Sequence, residues 1–185
     1  MRFSTLLAVV LFGAPLVAAP VPKGAEQKPL YFPTAVGAKW VYETPDGELE
    51  TAVVSAVEKG DDGALTVSRA GADGTRVAYT KTVVTANGLR RDDAANGKSG
   101  WLLKTNVKAG DSWDSPDGKR TVYGPEEVKV PAGTFTALRV EWEQFGASYT
   151  SWYAPGVGEV KRVAKVDGTE TVTRALKAFR PAAGK

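Results

Sequence analysis

Apolar and polar residues alternate along much of the chain after residue 31. The clearest example lies between residues 134 and 145, where Leu138, Val140 and Trp142 alternate with Arg139, Glu141 and Glu143. Successive side chains of a β-strand point to opposite faces of the sheet. This spacing therefore predicts a strand with one buried face and one solvated face.

Runs rich in β-branched and aromatic residues predict further strands. The predicted strands are 39–42, 51–57, 64–69, 75–84, 88–91, 101–104, 119–123, 126–130, 135–145, 148–153, 159–166 and 170–179. No segment of helical length keeps apolar residues at i, i+3, i+4 and i+7, and the one weak helix candidate lies near Arg174 to Phe179.

Glycine-ended turn triplets such as Pro45-Asp46-Gly47 and Val166-Asp167-Gly168 separate the predicted strands. Glycine accepts the positive φ that these turns need, and Pro, Asp and Asn favour the positions before it. Such short connections make neighbouring strands pair antiparallel. We therefore predict an all-β fold, a curved antiparallel meander of about ten strands that forms a barrel or half-barrel.

Two parts of the chain resemble each other. Gly37 to Trp40 leads into a Pro-Asp-Gly turn, and Gly110 to Trp113, 73 residues later, leads into another. Either a half-domain was duplicated or two similar strand starts arose independently. A solenoid is disfavoured, because such arrays show at least about three copies of a fixed period.

The chain begins with the pattern of a secretory signal peptide. Arg2 precedes an apolar run from Phe3 to Phe12, and small residues follow up to Ala19. We predict a signal peptide at 1–19, cut after Ala18 or Ala19, and a flexible arm at 20–30. A single β domain at 31–180 and a tail at 181–185 follow. The mature protein is then exported to the periplasm or the external medium, with no transmembrane segment after signal removal.

Composition excludes several kinds of chemistry. The 185 residues include 24 Lys and Arg, 21 Asp and Glu, and neither His nor Cys. Disulfides, thiolate catalysis, Ser-His-Asp triads and His- or Cys-ligated metals are therefore excluded. Residues 157–185 hold seven basic residues against three acidic ones but no clustered basic run, so we predict no nucleic-acid partner. No cofactor and no metal site are predicted.

Four segments carry a resemblance to a known group of proteins. They run from Tyr31 to Tyr42, from Gly110 to Trp113, from Val128 to Phe135 and from Trp152 to Lys161. In this order they resemble exported bacterial β-proteins of unknown function that share "YFP…G…W.Y", "V.VPAGTF" and "WYAPGVG.VK" motifs. The resemblance implies a curved antiparallel sheet similar to lipoprotein-carrier half-barrels, and it implies no catalytic residue.

Aromatic residues are the main candidates for a binding site. Trp142, Tyr149, Trp152 and Tyr153 could line a wall for a lipid chain or a stacking platform for a sugar. The other interpretation is that they fill the core of a protein that has no disulfides. Strand alternation already predicts that the neighbours Trp152 and Tyr153 point to opposite faces.

Acidic residues are weaker candidates. Glu141 and Glu143 lie two apart on one predicted strand, and paired carboxylates can hydrolyse glycosides. However, their position opposite an apolar face is typical of solvated side chains. The acidic loop positions are Asp61, Asp62, Asp73, Asp92 and Asp93. They lack the ligand spacing of a calcium loop, and we interpret them as turns.

These observations favour a non-enzymatic function. We expect an exported binding or carrier module for an apolar or amphipathic ligand, such as a lipid, in the cell envelope. The alternative is a structural or protein-interaction module with a filled core, in which an edge strand or the face carrying Tyr149 and Tyr153 meets another envelope protein.

Overall fold

The computed structural model describes residues 29–75, 81–93 and 98–183, and these residues form twelve β-strands and no helix. The strands are β1 Lys39–Glu43, β2 Leu49–Lys59, β3 Leu65–Gly71, β4 Lys81–Thr85, β5 Gly88–Asp93, β6 Lys98–Lys104, β7 Ser112–Ser115, β8 Gly118–Val130, β9 Gly133–Gln144, β10 Ala147–Ala154, β11 Gly158–Val166 and β12 Thr169–Arg180. The predicted signal peptide at 1–19 and most of the predicted arm at 20–30 lie outside the described residues. Across those same ranges, no helix is long and apolar enough to cross a membrane.

All twelve strands belong to one antiparallel sheet, in the order β6-β5-β4-β3-β2-β1-β12-β11-β10-β9-β8-β7. Each strand pairs with its neighbour in sequence, as short turns require, except that β6 and β7 are the two edges. The pairing of β1 with β12, over Lys39 to Glu43, joins the two six-stranded halves in the middle of the sheet. The predicted all-β meander is confirmed, and it forms a nearly closed barrel.

The two edge strands meet at a seam, where side chains rather than a strand ladder make contact. The indole Nε1 of Trp113 in β7 donates a hydrogen bond to the backbone oxygen of Trp101 in β6, at 3.0 Å. Gly100 lies directly against Pro116, since a Cβ added there would come within 2.4 Å of the proline Cδ. The seam is therefore held by direct packing.

Beyond small shifts at the strand ends, the structure differs from the predicted elements in three respects. Residues 119–123 and 126–130, predicted as two strands, form the single strand β8, which bulges between Val122 and Pro125. The strand β7 was not predicted, because four residues are too few to show an alternation. The weak helix candidate near Arg174 lies in β12, where pairing to β1 and β11 decides the conformation. Residues 76–80 of the predicted strand 75–84 lie outside the described residues.

Several of the motifs meet at the end of the barrel where the described chain begins, called here the arm end. The Phe32 ring lies 5.4 Å from the buried Trp40 ring. Trp40 donates its indole N–H to the Val157 oxygen at 2.7 Å. The Gly156 N–H bonds the Leu30 oxygen at 2.7 Å. The arm-end motifs thus close the core and are mainly structural.

The two resembling segments lead into their strands with the same local geometry. Gly37 and Gly110 both have positive φ, of 93° and 91°, just before β1 and β7. Gly37 N–H bonds the Val54 oxygen at 2.9 Å, and Gly110 N–H bonds the Val122 oxygen at 2.8 Å. Each segment thus starts a six-stranded half with the same kind of turn, as expected from either origin.

Candidate functional site

Three inward-facing side chains form a ladder across β8, β9 and β10. Register places Arg120 opposite Trp142 and Trp142 opposite Tyr149. The Arg120 guanidinium carbon lies 4.2 Å from the Trp142 ring centroid, and the Tyr149 ring stacks on Trp142 at 5.2 Å with an interplanar angle of 16°. Arg120 and Trp142 are buried, whereas Tyr149 is half-buried.

The four aromatic candidates do not form one wall. Trp142, Tyr149 and Tyr153 face the interior, but Trp152 faces outward, so Trp152 and Tyr153 point to opposite faces. Tyr153 is buried deeper in the barrel, beside Glu159, at a bulge in the pairing of β10 with β11. A protein-contact face carrying Tyr149 and Tyr153, the sequence-based alternative, would thus lie inside the barrel.

Trp152 is fixed on the outer surface by a folded-over hairpin. Its indole N–H donates to Glu126 Oε1 at 2.6 Å, and Lys161 Nζ lies 5.3 Å from its ring centroid. The tip of the β8–β9 hairpin reaches β12, where Ala132 N–H bonds the Leu176 oxygen at 2.9 Å. These contacts give Trp152 a packing role.

A cluster of buried charges centred on Glu159 lies between this ladder and the arm end of the barrel. Its Oε1 accepts hydrogen bonds from Ser151 Oγ at 2.6 Å and Arg162 Nε at 2.9 Å, and its Oε2 accepts from Arg162 Nη2 at 3.0 Å. Arg174 lies 3.7 Å away and also bonds Glu50. Glu159 is thus held by two arginines and a hydroxyl.

Burial and charge set the titration of this cluster. Burial by itself would raise the pKa of Glu159, but Arg162, Arg174 and the Ser151 hydrogen bond together lower that pKa below its usual 4.5. Burial, with the nearby Glu159 charge, raises the pKa of Tyr42 far above its usual value. Desolvation lowers the pKa of Arg69, which lies over the Phe32 and Trp40 rings at 5.4 and 5.7 Å.

Arg120 belongs to a second charged group, which lies nearer than Glu159 to the end of the barrel opposite the arm end. Its Nη2 donates to Asp117 Oδ2 at 2.6 Å, and Arg91 Nη2 lies 3.8 Å from the same oxygen. Burial raises the pKa of Asp117, but the two arginines lower it more, so the pKa falls below its usual value. Among the described residues, Arg120 Nε and Nη1 and Trp142 Nε1 are buried donors without a hydrogen-bond partner. Buried donors of this kind need an explanation.

Positive charge is in excess in the two clusters together. Among the side chains that the structure describes, the inward charged ones in these clusters are Arg69, Arg91, Arg120, Arg162 and Arg174 against Glu50, Asp117 and Glu159. Water reaches part of this set, because the side chains of Arg91, Arg162 and Glu50 keep 20 %, 19 % and 31 % exposure. The cavity beside Glu159 has a volume of about 30 Å³. That is room for a water molecule and not for an acyl chain.

Sequence reasoning missed the arginines, although a signal was present. Arg69 follows Val67 by two residues, Arg120 precedes Val122 by two, and Arg174 precedes Leu176 by two. In each case the arginine shares the face of a fully buried apolar residue. A basic residue in the apolar register of a strand is the pattern that predicts a buried charge.

Glu141 and Glu143 lie on the outer face, along a groove of about 480 Å³ between β8, β9 and β10. Arg139 Nε lies 3.3 Å from Glu141 Oε1, and hydrogen bonding to Glu141 raises the pKa of Tyr123. Glu143 is exposed. Within the ranges the structure covers, no three acidic residues are grouped so as to hold a metal ion.

Comparison with known proteins shows a shared fold. No family model and no curated protein matches the chain. Among solved structures, the chain is similar to a "putative lipoprotein" from Parabacteroides distasonis, at 16 % identity and a TM-score of 0.57. It is also similar to a "putative exported protein with YmcC-like fold" from Bacteroides fragilis, at 15 % identity and a TM-score of 0.54. Each match covers 82 % of this chain and 99 % of the other. At such low identity the likeness establishes a common barrel fold.

Proposed function

We propose that this protein is an exported, non-enzymatic binding module of the cell envelope that takes an amphipathic ligand by its anionic group. The observation that carries this proposal is the buried Arg120 guanidinium, whose Nε and Nη1 have no hydrogen-bond partner among the described residues. An unsatisfied buried donor is costly, and a bound anion would accept hydrogen bonds from it.

The arginine–aromatic ladder supports a position for the ligand in the half of the barrel that contains Trp142. Arg120 Nε and Nη1 are donors without a partner in the described structure, and an arginine suits carboxylate and phosphate groups because its donors are held in a planar fork. Tyr149, which is half-buried, offers ring surface to the apolar part of the ligand.

The small volume of the cavity beside Glu159 argues against a carrier that encloses a whole lipid chain there. Ligand pockets usually measure about 300–1,000 Å³, whereas the cavity beside Glu159 measures about 30 Å³. The ligand is therefore held by its charged group near Arg120. A non-enzymatic role agrees with the environment of Glu141, which is partly exposed and paired with Arg139, unlike the buried carboxyl that a general acid needs.

Native mass spectrometry of the protein, purified from the envelope without detergent, tests for a resident ligand. Extra mass that is lost on denaturation would support the proposal. In parallel, dodecyl phosphate, dodecyl maltoside and dodecyltrimethylammonium are titrated below their micelle concentrations and followed by tryptophan fluorescence. We expect the phosphate to bind about tenfold or more tightly than the others, the difference that one charge-assisted hydrogen bond makes.

A matched pair of variants locates the binding. Arg120 and Arg139 each stack on an aromatic ring, at 4.2 and 4.3 Å, but Arg120 faces inward and Arg139 outward. Arg120→Met should weaken dodecyl phosphate binding about tenfold, and Arg139→Met should leave it unchanged. Equal binding of the three amphiphiles, or equal loss in both variants, would overturn the proposal.

A further inference from the structure

The β9–β10 turn carries a residue that its backbone does not favour. Phe145 and Gly146 have φ of 52° and 76°, as in a type I′ turn. The β11–β12 turn has nearly the same angles, 48° and 81°, and fills them with Asp167 and Gly168. Asp-Gly is the sequence such turns prefer, whereas positive φ strains a bulky residue such as Phe.

Packing does not account for Phe145 either. Its exposed fraction is 96 %, so burial contributes almost nothing to its stability. A concavity of about 250 Å³ lies beside it, and the outer groove of about 480 Å³ shares Glu143 and Ser148 with that concavity. A strained, exposed aromatic side chain next to two concave surfaces points to contact with another molecule.

Phe145 lies on an acidic rim. The rim is defined by the four fully described turns at the end opposite the arm end: 44–48, 116–117, 145–146 and 167–168. Within two residues of these turns the acidic residues are Glu43, Asp46, Glu48, Glu50, Asp114, Asp117, Glu143, Asp167 and Glu170, against the basic Lys119 and Lys165. Glu50 and Asp117 pair with inward arginines, which leaves seven acidic side chains against two basic ones.

The arm end differs in both charge and apolar exposure. Counted in the same way, its described turns carry five acidic and four basic residues. Of the five large apolar side chains that are exposed in the described chain, Phe145, Leu49 and Val166 adjoin turns of the rim, and Val36 lies at the arm end. The rim therefore combines apolar side chains with a strong negative charge.

We propose that the acidic rim docks a protein partner that has an apolar pocket bordered by lysine and arginine. Phe145 is the side chain that enters the pocket, and Glu143 and Asp167 meet the basic border. An anionic membrane surface is disfavoured as the occupant, because its phosphates would repel the rim. This inference stands independently of the ligand proposed above, but the two are compatible. A basic partner would neutralise the negative charge of the rim, which otherwise repels an anionic group that approaches from that end.

Thermal unfolding separates a structural role of Phe145 from a docking role. Phe145→Asn should raise the Tm by roughly 2–4 °C, because it relieves the strain of positive φ and removes no packing. Asp167→Asn, in the matching turn, should leave the Tm unchanged. A fall in the Tm of Phe145→Asn would show that Phe145 stabilises the fold, and would overturn the proposal.

Photo-crosslinking identifies the occupant. The full chain carries p-benzoylphenylalanine at position 145, or at position 36 as the arm-end control, and is irradiated in cells of the source organism. We expect one protein adduct specific to position 145, with a basic surface, that is lost when Glu143→Lys and Asp167→Lys are added. Lipid adducts, a second copy of this chain, an adduct insensitive to charge reversal, or no adduct above the control would each overturn the proposal.

Discussion

Replacing Glu159 by Gln tests whether the charged cluster holds the barrel together. Gln keeps the volume and one acceptor oxygen, but it removes the negative charge that faces Arg162 and Arg174. The amide nitrogen of Gln would also replace the Oε2 atom that accepts a hydrogen bond from Arg162 Nη2 at 3.0 Å, so two donors would face each other. Arg174 would keep its ion pair with Glu50.

The structure sets the size of the expected effect. The side chains of Glu159, Arg162 and Arg174 retain only 10 %, 19 % and 12 % exposure, so water compensates the lost charge poorly. Breaking a buried ion pair by removing one partner costs about 3–5 kcal/mol. Because Gln retains one acceptor, we expect about 3 kcal/mol, which corresponds to a Tm lower by roughly 6–12 °C for a chain of this length.

The pH dependence of the difference identifies its cause. The folded pKa of Glu159 is lowered below 4.5, so its stabilisation is fully present above the unfolded pKa and is lost as pH falls through the folded value. Urea unfolding of both proteins should therefore give a constant difference from about pH 7 to 5 that shrinks below about pH 4.5. Asp117 titrates in the same direction, but it is present in both proteins and cancels.

A surface pair provides the control. Glu170 lies 3.9 Å from Lys165, and both side chains are more than half exposed, so Glu170→Gln should change the unfolding midpoint little. If Glu159→Gln lowers the stability by less than about 0.5 kcal/mol, or by the same amount at pH 3 as at pH 7, the charge of Glu159 is not what stabilises the cluster.

Two further predictions concern the seam and the arm end. Trp113→Phe removes the hydrogen bond to the Trp101 oxygen and should lower the free energy of unfolding by about 1 kcal/mol. The variant should accelerate amide hydrogen exchange more in β6 and β7 than in β1. An equal acceleration in all strands would contradict this prediction. Gly158→Ala places a Cβ 3.2 Å from Phe32 at a φ of 96° and should destabilise by roughly 1–3 kcal/mol. The control Gly124→Ala meets only Ala109, at 3.9 Å, so equal thermal shifts for the two alanine variants would argue against the strain.

The strands could be predicted from the sequence because side-chain alternation and turn residues, which determine them, involve residues close together in the chain. Alternation around Val140 placed one face of β9 inside, and Asp-Gly turns fixed the antiparallel pairing. The bulge that joins 119–123 to 126–130 escaped prediction, because it depends on how β8 fits against β9. The prediction that Trp152 and Tyr153 point to opposite faces of the sheet followed from alternation alone.

The candidate site was predicted only in part. The sequence pointed to Trp142 and Tyr149 as aromatic side chains, but it did not show that they stack with Arg120 across three strands. That contact joins residues 22 and 29 positions away from the arginine in sequence, and only the register of β8, β9 and β10 brings them together.

The sequence by itself determined an all-β chain, its antiparallel connections, and the exclusion of His and Cys chemistry, since these follow from residue identity and short-range backbone preference. Only the tertiary structure decided that β1 pairs with β12, that five inward arginines accompany three inward carboxylates among the described residues, and that Phe145 stands exposed on an acidic rim. Each of these depends on residues far apart in the chain. Their meeting is fixed by strand register and sheet curvature, which no local pattern encodes.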